Sequence, residues 1–254
     1  MHKVDLHVHT RLSKNFEFNA KVIGPLKDLG ARRGLTGFAL TEHIHARDFW
    51  GMHDHLQRTF RYGDGWYDLD NGFQMFSGCE VTVGERIDFI VVGPLDQVES
   101  LDNAFKPKLS ESYFPPGLDF LREARRRNLI VISAHPFRPG KETRKLPLHE
   151  VFQLVHAVEV NGRDHGTERK VASLAAEWEL PLSGGSDAHY YLQVGIRSTV
   201  VPHAKLSLDT IRRSFEERQT KAHCKAYAPA VVELCQEIKR VVKLREQVAA
   251  EAVA

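Results

Sequence analysis

Hydrophobic residues gather in short runs of strand-like length that recur along most of the chain. The candidate strands are KVDLHV (3–8), LTGFAL (35–40), FQMFSG (73–78), RIDFIVVG (86–93), NLIVISA (128–134), AVEVNG (157–162), LPLSGG (180–185) and IRSTVVP (196–202). Between several of them, apolar positions repeat every three or four residues, which predicts helices over 117–128, 148–155, 167–178 and 208–218. This alternation predicts parallel strands joined by right-handed crossover helices, in a barrel or an open sheet. Seven or eight such strands in one chain of this length favour the barrel.

Two stretches break the rhythm. Residues 49–71 carry Trp50, Phe60, Tyr62, Trp66 and Tyr67 among glycines, aspartates and two histidines, and read as an insertion over one rim, either a lid or plain packing. Residues 103–116, with Pro107, Pro115 and Pro116, read as an irregular loop. Beyond Pro229 a stripe of Val231, Leu234, Cys235, Ile238, Val241, Val242 and Val248 predicts one long helix packed on the barrel. The expected organisation is a barrel over residues 1–227, insertion included, followed by a C-terminal helix over 228–254.

Composition narrows the function classes. With 254 residues, 42% hydrophobic and 27% charged, the chain is long enough to bury a core without disulfides or structural metal. A net charge of +2, from 35 basic and 33 acidic residues, gives no general attraction to nucleic acid or anionic lipid. No run approaches the length of a membrane helix, and MHKVDLHVHT lacks the apolar core of a secretory signal, so a cytoplasmic protein with no membrane partner is expected. Three irregularly spaced cysteines fit packing in a reducing compartment. Histidine, at 14 copies, is the outlier and directs attention to metal ligands.

The histidines cluster at strand ends. In D-L-H-V-H, alternation puts Asp5, His7 and His9 on one face and Val4, Leu6 and Val8 on the other, toward covering helices. Later strands end in T-E-H (Thr41, His43), G-C-E (Glu80), S-A-H-P (His135) and G-G-S-D-A-H (Asp187, His189). One H-x-H says little, but groups at the carboxyl ends of different barrel strands meet at a common mouth. So many buried ionisable groups need compensating cations. Imidazole and carboxylate without thiolate suit zinc, manganese or iron. Two such ions can activate a bridging hydroxide as a nucleophile.

These segments, D-L-H-V-H-T at 5–10, T-E-H at 41–43, G-C-E at 78–80, A-H-P-F-R at 134–138 and S-D-A-H at 186–189, resemble in identity and order the PHP family, named for polymerase and histidinol phosphatase members. The resemblance implies a distorted (β/α)7 barrel with two or three divalent ions, zinc, manganese or iron, hydrolysing phosphoesters through a metal-bound hydroxide. It implies that His7, His9, Glu80 and Asp187 hold one metal, that Glu80 bridges to a second held by His135, and that His43 and His189 hold a third. The chain departs from the family pattern in having Asn15 where many members have histidine, and no histidine between His55 and His135. His45 is the candidate substitute at the third metal, and Asp88 or Asp96 at the second.

If the third position is empty, His43 or His189 is the candidate acid for the leaving oxygen. Arg138 and Arg163 are the candidates to bind substrate phosphate. Arg47, Lys141 and Arg144 are weaker ones, and Glu159 and Asn161 are expected to support the rim. His2, His149, His156, His165, His203 and His223 lie away from the matched strand ends and are assigned to packing or surface. The expected substrate is a small phosphorylated metabolite or a nucleotide, with aromatics of the 49–71 insertion available to stack on a ring. The alternatives are an exonuclease on single-stranded nucleic acid, which the charge balance disfavours, a regulatory metal-binding barrel without turnover, and a metal amidohydrolase. Against the last, no lysine occupies a matched strand end.

Overall fold

The computed structural model describes residues 1–105 and 113–251, with only the helical backbone described from 246 onward. Part of the 103–116 segment therefore lies outside the described residues. The elements run β1 (His2–Val8), α1 (Ile23–Arg32), β2 (Gly37–Leu40), α2 (Phe49–Thr59), β3 (Tyr62–Gly63), β4 (Trp66–Asp68), β5 (Gln74–Thr82), β6 (Asp88–Val92), α3 (Leu95–Asn103) and α4 (Gly117–Arg126). They continue β7 (Ile130–Ser133), α5 (Leu148–Leu154), β8 (Ala157–Asn161), α6 (Glu168–Glu177), β9 (Leu182–Gly185), β10 (Arg197–Val201), α7 (Leu208–Glu216), β11 (Lys221–Cys224) and α8 (Ala228–Glu251).

The strands pair in the order β11-β10-β1-β2-β5-β6-β7-β8-β9. The ends of this path meet, so the sheet is a nearly closed barrel. Thr199 Oγ1 of β10 accepts from the Gly184 amide of β9 at 2.8 Å, and the Ser186 amide just beyond β9 donates to Asp5 Oδ1 at 2.8 Å. The approach of β9 to β1 requires glycine: a Cβ on Gly185 would stand 2.5 Å from that of His7.

The expectation of uniformly parallel strands is corrected. β6 runs antiparallel to both β5 and β7, and β10 antiparallel to β1 and β11. For β5 and β6 the reason is connection length. β5 turns into β6 through a tight loop closed by Val83 N–H donating to the Ile87 carbonyl at 2.8 Å, and a parallel crossover needs about a dozen residues.

Alternate residues of these strands separate two apolar layers. An inner cluster joins Val4, Leu6, Ala39, Phe76, Ile90, Ile132 and Ala157 to Leu208, Ile211 and Phe215 of α7. An outer cluster joins Phe38, Met75, Val91, Val131 and Val158 to helix residues such as Leu26, Leu56, Phe120 and Val171. Val4 and Leu6 thus face inward, which corrects their assignment to the helix side. Register between β1 and β2 slips from Asp5 opposite Phe38 to Val8 opposite Leu40, a bulge that resets the alternation. Only beyond the bulge do His7 and His9 turn to the mouth, while Val8 joins the outer layer.

Residues 49–71 form α2 and the β3–β4 hairpin, and β4 pairs with β5 opposite Phe76. Phe49, Met52, Leu56 and Tyr67 are buried in the outer cluster, and the Tyr67 hydroxyl lies 2.8 Å from His53 Nδ1. Packing, rather than a lid, describes these side chains, and buried Phe49 and Tyr67 cannot stack on a substrate ring. Helix α8 buries Ala228, Val232 and Cys235 while Leu234, Val241 and Leu244 stay about half exposed. All three cysteines are free.

Candidate metal centre

The bulged end of β1 places His7 and His9 side by side, with their Nε2 atoms 3.1 Å apart. Glu80, inward-facing on β5, brings Oε2 to 3.5 Å from His7 Nε2 and 3.4 Å from His9 Nε2. Asp187 follows β9 in a left-handed conformation, φ 53°, that any residue but glycine adopts at a cost, and this returns its carboxylate to the mouth. Its Oδ1 lies 3.8 Å and 3.6 Å from the same two nitrogens. His135, after β7, is likewise left-handed at φ 27° and points Nε2 at Glu80 Oε1 (3.1 Å) and Asp88 Oδ2 (3.4 Å). His43 Nδ1 is 3.1 Å from Glu80 Oε2, and His189 Nδ1 is 3.2 Å from Asp187 Oδ1.

Three sets of ligand-capable atoms therefore gather, each within 4.8 Å: His7, His9 and Asp187; Glu80, Asp88 and His135; and His9, His43 and His189. Glu80 lies between the first two sets, one oxygen toward each. All seven residues expected as ligands come together. Of the two substitutes considered for the second position, Asp88 is present, whereas Asp96 lies in the first turn of α3 and bonds Gln97. Asn15 is exposed, and the His45 ring lies tilted beside that of His43, with ring centroids 5.2 Å apart.

The donor chemistry fits divalent cations. Glu159 Oε1 lies 2.8 Å from His7 Nδ1, and Glu42 Oε1 lies 3.2 Å from His9 Nδ1. Carboxylates in those places fix the proton on Nδ1 of each ring and turn the Nε2 lone pairs toward one another and toward Glu80 and Asp187. Four electron-rich atoms then face a common point, an arrangement that requires positive charge at its centre. Left to protons, the site answers in the same sense. Burial opposes the charged form of His7 and His9, but the surrounding carboxylates outweigh it, raising His7 well above the usual imidazole range and His9 to about 9. Against burial, His43 and His7 hold Glu80, and Arg163, Arg138 and His7 hold Asp187, well below the carboxylate range. Burial lowers His43, and burial with neighbouring His9 lowers His189 to about 3, which favours the neutral form of each, with a lone pair to offer.

The two arginines differ. Arg138 Nη2 donates to Asp187 Oδ2 at 2.7 Å and to Asn161 Oδ1 at 3.2 Å, while its Nε donates to Asp164 Oδ1 at 3.1 Å. Arg163 reaches Asp187 Oδ1 at 3.3 Å and lies 3.5 Å from His189 Nδ1, the looser of the two. Lys141 Nζ contacts Asp88 Oδ2. Arg47 pairs with exposed Glu17, and Arg144 is exposed.

Two carboxylates carry more than sequence reasoning gave them. Fully buried Glu159 also accepts the His135 amide at 2.9 Å and the Asn161 side chain at 3.0 Å, so it holds two candidate ligands at once. Glu42 accepts from Thr10 as well as facing His9. An acidic residue between apolar strand neighbours, V-E-V at 158–160, was the available signal for Glu159. Asp5, by contrast, takes no place at the mouth. It accepts amides of Ser186 and Gly195 at 2.8 Å and 2.7 Å, and burial raises its pKa to about 6.

Comparison with known proteins bears out the resemblance. A family model described as PHP-associated matches residues 167–220. Three solved structures share the fold. PsfC from Pseudomonas syringae PB-5123 is 24% identical over 95% of this chain and 98% of its own, with a TM-score of 0.78. The lesion-specific endonuclease PfuEndoQ from Pyrococcus furiosus is 17% identical over 87% of this chain, with a TM-score of 0.65. A two-domain Bacteroides vulgatus protein containing a predicted PHP-like metal-dependent phosphoesterase is 21% identical over 88% of this chain, with a TM-score of 0.59. The match spans 57% of the endonuclease and 64% of the Bacteroides protein. No curated protein sequence matches the chain. Among the described residues, no helix is long and apolar enough to cross a membrane.

Proposed function

We propose that this chain, whose barrel and strand-end motifs are of the PHP type, is a metal-dependent hydrolase of phosphoesters acting on a small phosphorylated metabolite or nucleotide. The observation that carries the reading is the meeting of His7, His9, Glu80 and Asp187 with their lone pairs directed at one point. In this reading His7, His9, Glu80 and Asp187 hold one cation, Glu80, Asp88 and His135 a second, and His43 and His189 a third. Such cations would lower the pKa of a water and neutralise charge growing on phosphoryl oxygens.

The chain's own side chains do the positioning. Glu159 and Glu42 fix the tautomers and ring planes of His7 and His9. Arg138, anchored three ways, orients Asp187, and Arg163, more loosely held and a quarter exposed, is free to turn its guanidinium to a substrate phosphate. We assign His43 and His189 as ligands in preference to acids, since burial lowers the pKa of both and favours the neutral ring with its lone pair.

A nuclease is the second reading, because the same barrel occurs in an endonuclease that acts on DNA lesions. The deciding experiment is a phosphate-release screen over mononucleotides, nucleotide bisphosphates, sugar phosphates and histidinol phosphate, beside single-stranded DNA and RNA and abasic duplex DNA. It uses protein whose zinc, manganese and iron have been counted by elemental analysis. Release from a small ester is expected. Cleavage of nucleic acid alone selects the nuclease, and no turnover by cation-loaded protein selects the regulatory barrel.

A further inference from the structure

Asp88 occupies the second position as one of the two substitutes expected for an absent imidazole, and its two oxygens have different surroundings. Oδ1 accepts from Thr82 Oγ1 at 2.7 Å and is committed to the strand. Oδ2 faces His135 Nε2 at 3.4 Å and is contacted by the ammonium of Lys141. Asp88 is buried, whereas the lysine side chain is 34% exposed, so the ammonium reaches the carboxylate from the solvent side of the cluster. The oxygen through which Asp88 would ligate a cation is therefore the oxygen that a protein cation already holds. The first position is less contested: Arg163 reaches Asp187 Oδ1 at 3.3 Å and Arg138 its Oδ2, but three of the four donors there, Glu80 Oε2 and the two Nε2 atoms, meet no lysine or arginine among the described contacts, against two of three at the second.

We propose that Lys141 is an internal counter-cation at the Glu80–Asp88–His135 position and sets how tightly that position holds a divalent ion. The inference rests on the metal-dependent reading above and adds an order of filling. Ions enter the His7–His9–Asp187 position first, and the second position fills only as Lys141 leaves Asp88 for solvent or for another anion. A lysine suits this role. Its single charge satisfies one carboxylate oxygen, and its long flexible stem lets the ammonium withdraw without disturbing the backbone. Two cations of like sign on one buried oxygen repel, so one must yield.

The test is a manganese and zinc titration of the full chain stripped with chelator, followed by competition with a chromophoric chelator. Wild type, K141Q and K141R are compared. Wild type is expected to show a tight and a weak class of site. K141Q should tighten the weak class tenfold or more and leave the tight class unchanged, while K141R keeps the wild-type pattern because it keeps the charge. An unchanged or weakened second class in K141Q overturns the proposal. So does tightening in K141R equal to that in K141Q, since the effect would then be steric. Absence of any bound divalent ion in wild type overturns the metal-dependent reading itself, a result distinct from the others.

Discussion

Glu159 of β8 and His7 of β1 meet across the barrel, with Oε1 and Nδ1 2.8 Å apart and both side chains fully buried. The pair is 152 residues apart in sequence, and it decides which nitrogen of His7 faces the mouth. E159A is expected to weaken divalent-cation binding about 10–100-fold, the usual effect of removing a carboxylate behind a ligating histidine. E159Q, which can still accept from Nδ1, should lose less. Chelator competition measures both, and wild-type affinity in E159A would remove Glu159 from the site.

Asp187 separates the roles of the two arginines. Replacing Arg138 by methionine strips a 2.7 Å ion pair from a buried carboxylate, a change expected to cost about 3 kcal/mol of stability. R163M removes a longer contact, 3.3 Å, from the same carboxylate, which Arg138 still holds, and should cost less than R138M. Its effect belongs in kinetics, as a rise in KM for a phosphate substrate. Urea unfolding and steady-state kinetics on both variants test the division. Equal destabilisation by the two substitutions, with KM untouched in R163M, would contradict it.

Chelation should be visible in stability even without a substrate. A cation present at about 100 times its Kd adds about 2.7 kcal/mol to the folded state. For a chain of this length that corresponds to about 5–10 °C in Tm for each site filled. Calorimetry before and after chelator, with manganese restored, measures the change. A Tm indifferent to both would count against resident cations.

The strand-end motifs were legible because each couples a rare residue type to a strand terminus, and barrel topology alone then brings the termini together. His7, His9, Glu80, His135 and Asp187 required no coordinates to be grouped. What escaped was local irregularity. The bulge after Asp5 reverses the inside and outside of β1, so Asp5 left the mouth and Leu6 entered the core. The short turn after β5 reverses β6, and this aims Asp88 at His135. Glu42 and Glu159 were readable as acids but not as partners of particular rings, because their partners lie 33 and 152 residues away.

Acid sensitivity is expected to come in part from a histidine far from the mouth. His156 is buried, its Nδ1 accepts the Val131 amide at 3.0 Å, and Arg125 contacts its ring. Burial, with the charges of Arg125 and Arg212, lowers its pKa to about 3. An unfolded chain takes up the proton near pH 6.5 while the folded one does not, so the unfolded state binds more protons and stability falls as pH drops below about 6.5 toward 3. Between pH 7 and pH 5 this single group should remove about 2 kcal/mol. H156Q cannot titrate. Urea unfolding at the two pH values should show a loss smaller by that amount in the variant, whatever its stability at pH 7. Parallel losses in variant and wild type would mean that the His156 ring is charged in the folded protein or that other groups dominate the acid limb.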